Sequence, residues 1–162
     1  MGASDWDYVT TYEGGVQASL DALHARVFTE EFGETGDYAD LAELWADGEF
    51  MGTGGTHTIL DVPRAATGSG GPAQGTLRPL SADRLLHHFG AARPTVARYE
   101  ELLAAAGRAM SQQEYEQSLL GEEFPRWSGL YVLLYDEAGE ATAAGEAGGE
   151  PTHVAFFGCS GD

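Results

Sequence analysis

The chain has 162 residues, 43% of them hydrophobic, with seven Phe, seven Tyr and three Trp. A chain of this size buries roughly 70% of its unfolded surface without covalent staples, and the composition excludes a disordered or fibrous polymer. The formal net charge of −18, from 26 acidic residues against eight Arg and no Lys, sets the surface against phosphate backbones and anionic headgroups, because like charges repel.

Trp6 to Tyr12 alternates well enough to predict a short strand, broken by Gly14-Gly15. Val16, Leu20, Leu23 and Val27 then recur at helical spacing and predict a helix from Val16 to Phe28. After a loop at Gly33 and Gly36, a short acidic helix is expected over 38–47. Leu41, Leu44 and Trp45 would face inwards, and Asp37, Asp40, Glu43 and Asp47 would form a stripe on the other side. Like charges at that spacing repel, so the stripe is expected to cost local stability.

The segment 50–55 reads as a flexible turn. Thr56 to Val62, rich in β-branched residues, reads as a strand edged by Pro63. Residues 65–75 read as a surface loop, and 76–78 as a short strand. Ser81 starts a helix that Gly90 stops. Pro94-Thr95 starts another, with Val96, Tyr99, Leu102 and Leu103 as its buried stripe. Ser111 and Glu114 form a capping box, with Met110 and Tyr115 placed as a hydrophobic staple.

The last third reads as a hairpin. Leu130 to Tyr135 and Thr152 to Phe157 are its antiparallel strands, and a long Gly/Ala/Glu connection over 136–150 joins them. The expected architecture is a single α+β domain over 1–162, a mostly antiparallel sheet with several amphipathic helices packed on one face.

Charge is unevenly placed. Residues 27–63 hold nine acids and no Arg, whereas 64–126 hold seven of each. Such asymmetry marks an interaction face or simply a solvated one. The lone Cys159 cannot form an internal disulfide. The N-terminus has neither the basic segment nor the apolar run of a signal peptide, and no stretch reaches the roughly 18 apolar residues of a membrane span. A cytoplasmic protein is the expectation, with no membrane or nucleic-acid partner.

Motifs for chemistry are sparse. The glycines at 52–55 precede a predicted strand, the reverse of the order a phosphate loop needs. His57 and Asp61, four residues apart on that strand, would share a face about 13 Å apart. Either could meet His153 from a neighbouring strand, and such a group suits a general base or a metal. His87 and His88 are adjacent on a helix and point about 100° apart, which does not suit one ion. No zinc, calcium or nucleophile motif occurs, so no metal or cofactor is expected. Cys159 reads as a small buried residue.

Gly55-Thr56-His57-Thr58-Ile59-Leu60-Asp61 and Phe156-Phe157-Gly158-Cys159-Ser160-Gly161-Asp162 resemble a family of small acidic actinobacterial proteins of unknown function. The likeness covers a middle segment and the end of the chain. It implies no activity and no catalytic residue, only that the two segments are neighbours in space.

Two functions follow as expectations. The first is an acidic binding protein, an immunity protein or inhibitor masking a basic protein partner through Asp37, Asp40, Glu43 and Asp47. The second is a small enzyme or ligand-binding module with a pocket around His57, Asp61 and His153.

Overall fold

The apolar run at 153–160 is flanked by no charged residue of its own strand, the pattern of a strand covered on both faces. In the computed structural model, which describes residues 4–53, 55–66, 74–136 and 150–160, this run is strand β5 (His153–Ser160), inside a five-stranded sheet. The other strands are β1 (Ser4–Thr11), β2 (Arg64–Ala65), β3 (Thr76–Pro79) and β4 (Ser128–Leu134). The spatial order is β1-β5-β4-β3-β2.

β5 pairs antiparallel with both β1 and β4, whereas β4, β3 and β2 run parallel. The sheet is therefore mixed, not mostly antiparallel. The reason lies in the connection between β3 and β4. It carries α4 (Ala82–Phe89), α5 (Val96–Gly107) and α6 (Gln112–Gln117), and a long helical crossover returns the chain in the same direction. The antiparallel pairing of the two C-terminal strands is as expected.

Helices cover both faces, not one. β5 explains why, since alternate residues point to opposite sides. Val154 and Phe156 pack with Leu20, Leu23 and Val27 of α1 (Val16–Phe32), with Leu44 of α2 (Leu41–Ala46), and with Ile59 and Leu60. Ala155 and Phe157 pack with Phe89, Tyr99 and Leu119 from the crossover. Phe156 and Phe157 are fully buried, each contributing about 2–3 kcal/mol of transfer free energy.

Three local expectations change. Residues 48–53 form helix α3 (Gly48–Thr53) instead of a flexible turn. Residues 56–62 are not a strand: they form a turn leading into one 3-10 turn, Ile59–Asp61. The Met110–Tyr115 staple does not form, since Met110 is 93% exposed. The predicted connection at 137–149 lies outside the described residues. Among the described residues no helix is long and apolar enough to cross a membrane.

Candidate functional site

The acidic segment forms the outer layer over one sheet face. Glu30, Glu31, Glu34, Asp37, Asp40, Glu43 and Glu49 are exposed and Asp47 is half-buried, with no Arg among residues 27–63. The four stripe residues are not equivalent. Asp37 precedes α2 in the chain. Asp40 caps α2, accepting from the Glu43 N–H at 2.9 Å, and Glu43 reaches back to the Ala39 N–H at 2.5 Å. Asp47 accepts from the Tyr38 hydroxyl at 2.8 Å and from the Phe50 N–H at 3.0 Å. The Phe50 N–H first, then the Tyr38 hydroxyl, holds its carboxyl below the usual range. Three of the four acids thus stabilise the helices they belong to, and the expected net cost of the stripe is offset by capping.

Trp45 sits in this layer with 36% of its surface exposed instead of facing inwards. Its indole N–H donates to the Leu60 carbonyl at 2.8 Å, and its ring meets His24 edge-on, centroids 5.5 Å apart. Behind it, the His24 Nε2 faces the carbonyls of Ile59 (3.2 Å) and Val62 (3.1 Å). Carbonyls only accept, so Nε2 carries the proton. Burial pushes the His24 pKa down, and the two carbonyls offset this only in part.

His24 and Trp45 together fasten the loop that holds His57 and Asp61. Asp61 is 5% exposed. Its carboxylate accepts from the Thr56 N–H at 2.7 Å, the Thr56 hydroxyl at 2.9 Å and the His57 N–H at 2.9 Å. The Thr56 hydroxyl has one proton, given to Asp61, so at 2.7 Å it accepts from Thr58. The tight loop needs left-handed backbone at Gly55 (φ 66°) and at His57 (φ 58°). A Cβ on Gly55 would meet the Trp127 ring at 2.5 Å and the Asp61 carboxylate at 2.7 Å. Asp61 is therefore committed to folding the loop, while His57 is exposed.

His153 does not join them. The Ser160 hydroxyl approaches the Thr58 carbonyl at 3.5 Å, which places the loop at the Ser160 end of β5. His153 begins that strand, about 23 Å away at 3.3 Å per residue. The two segments that carried the resemblance are in fact neighbours at this end. The Trp6 indole N–H donates to the Ser160 hydroxyl at 2.8 Å. A Cβ on Gly158 would meet the Trp6 ring at 2.7 Å, so the glycine makes room for that indole. Cys159 is buried, and burial first, then Asp5, pushes its thiol pKa up, away from nucleophile character. Asp162 lies outside the described residues.

One polar cluster escaped the sequence reading. Glu122 Oε1 lies 2.6 Å from both His88 Nε2 and Arg84 Nε. Burial alone would raise the Glu122 carboxyl, but hydrogen bonds from His88 and Arg84 outweigh it and hold it below the usual range. The available signal was the spacing of Arg84 and His88, one helical turn apart on α4. Among the described residues no group of three or more His, Cys, Asp or Glu is placed to hold a metal ion. No family model, curated protein or solved structure matches the chain.

Proposed function

We propose that the protein is an acidic binding protein, an inhibitor or immunity protein that masks a basic protein partner with the layer formed by α1, α2 and α3. The observation that carries this reading is Trp45, a partly exposed indole fixed from behind by Leu60 and His24, in a segment, residues 27–63, that holds nine acids and no Arg. Rigid aromatic anchors supply binding energy at interfaces, and a single-sign field speeds encounter with an oppositely charged partner. Asp37, Asp40, Glu43 and Asp47 line the approach.

The test begins with capture from a lysate of the protein's own organism at low salt and elution at high salt. Association of the eluted partner is then timed against three forms of the chain. The wild type should associate fastest. The variant Asp37→Asn, Asp40→Asn, Glu43→Gln, Asp47→Asn keeps amide oxygens for the caps, and it should associate about tenfold more slowly at low salt, with the difference fading as salt rises. Trp45→Ala should leave the on-rate nearly unchanged and speed dissociation. An unchanged on-rate for the fourfold variant would reduce the stripe to capping alone.

A further inference from the structure

Strands β3 and β4 run side by side as far as Pro79 and Tyr131, then part. The Leu80 N–H closes on the Tyr131 carbonyl at 3.0 Å, and the chain leaves for α4. That edge of β4 is met again at Tyr135, whose N–H donates to the Pro94 carbonyl at 2.8 Å beside the Thr95–Tyr135 bridge. Along a strand, alternate residues turn both their peptide groups to the same edge. Residues 131 and 135 face away from β5, so Leu133, midway between them, does too. Its N–H and C=O are reached neither by Leu80 nor by the 94–95 segment.

The gap so left is a cavity of about 220 Å³, lined by Pro79, Leu80, Leu85, Ala92, Leu133 and Tyr135 among others. The Tyr135 ring is itself backed by the Arg93 guanidinium, 4.0 Å from its centroid. The cavity lies at the carboxyl ends of two neighbouring parallel strands, the place where open sheets of this kind receive ligands. It is smaller than a drug-sized pocket, and one or two flat rings fill it.

We propose that this gap is a binding site for a small amino-substituted nitrogen heteroaromatic ring. The ring nitrogen would accept from the Leu133 N–H and the adjacent amine would donate to the Leu133 carbonyl. Such a ligand completes the interrupted β-ladder with a donor beside an acceptor, while its faces lie against Leu80, Leu85 and Tyr135. Leu133 is half-buried, and backbone groups lying beside apolar side chains favour such a partner, because a peptide group shielded from water gains from a hydrogen bond. The site opens at the edge of β4, and its lining is drawn from both core clusters, Leu133 from the one under the acidic layer and Leu80 and Leu85 from the other.

The experiment titrates the full-length, ¹⁵N-labelled chain with 2-aminopyrimidine, pyrimidine and benzene into the millimolar range. 2-Aminopyrimidine should move the Leu133 amide resonance most, with Leu80 and Tyr135 following. It should bind about tenfold more tightly than benzene, the margin of two net hydrogen bonds. Ala92→Trp should close the exposed rim and abolish binding with an unchanged thermal midpoint. If that variant loses stability, Leu85→Phe narrows the same cavity from the helix side and should weaken binding. The proposal is overturned if the Leu133 amide does not move, if benzene binds equally well, or if both variants bind like the wild type.

Discussion

At the scale of single residues, Asp61 has the largest predicted effect. Its three accepted hydrogen bonds fix a loop whose backbone is left-handed at two positions. Asp61→Ala removes three accepted hydrogen bonds to a buried carboxylate and leaves part-buried donors without partners, and should cost about 3 kcal/mol in urea unfolding. Gly55→Ala adds both strain at positive φ and overlap with Trp127, and should cost at least about 2 kcal/mol. His24 predicts a pH effect of definite sign. Its folded pKa lies below the ordinary value of 6.5, so its contribution is complete above that value. It is lost as pH falls from 6.5 towards the folded pKa, because the unfolded chain takes the proton first. The wild type should lose stability as pH falls below about 6.5, and His24→Gln should flatten that limb. A denaturant series at several pH values checks both.

At the scale of elements, helix starts were legible and the acidic loop was not. Ser81, Thr95 and Ser111 each cap the helix they precede, through N–H groups three residues on. Those hydroxyls were visible because a cap is a local device. Residues 56–62 misled because Thr, Ile and Val favour strands only where a neighbouring strand offers a ladder. Here Thr58 and Asp61, three apart, act as a further cap, closing the 3-10 turn from both sides. The side-chain pattern was present in the sequence, but its decisive partners His24, Trp45 and Ser160 are distant in the chain. The clamp of α4 onto Glu122 was hidden for the same reason. Glu122→Gln should lower stability at pH 7 by about 2 kcal/mol, the worth of hydrogen bonds to a charged group. The folded Glu122 pKa is depressed, so its contribution is present above about 4.5 and is lost as pH falls through the folded value. Acid unfolding of this variant should therefore be less steep below pH 4.5.

At the scale of the whole molecule, a charge of −18 means that folding concentrates mutually repelling carboxylates. Among the described residues Arg84 pairs with Glu122 and Arg98 with Glu101, and His88 hydrogen-bonds to Glu122 as well. None lies in the acidic layer. Raising salt from about 0.01 M to about 0.1 M shortens the Debye length from about 30 Å to about 10 Å. The thermal midpoint should rise accordingly, by roughly 2–4 °C for each kcal/mol of repulsion relieved. A midpoint that falls with salt would show that attractive pairs dominate instead.

The strand order also carries a consequence for biosynthesis. β1 is hydrogen-bonded to β5 alone, with Ser4 opposite Ser160. On the ribosome, β1 emerges well over a hundred residues before its partner. At about 5–20 residues per second, roughly seven to thirty seconds separate the two. During that interval α1 can form, but Trp6 and Tyr8 have no ladder to join, and Leu130 to Leu134 lack their antiparallel neighbour. A nascent chain stalled before His153 would therefore present β1 without a partner and the β5-facing edge of β4 open, and the arrival of residues 153–160 would close both in a single event.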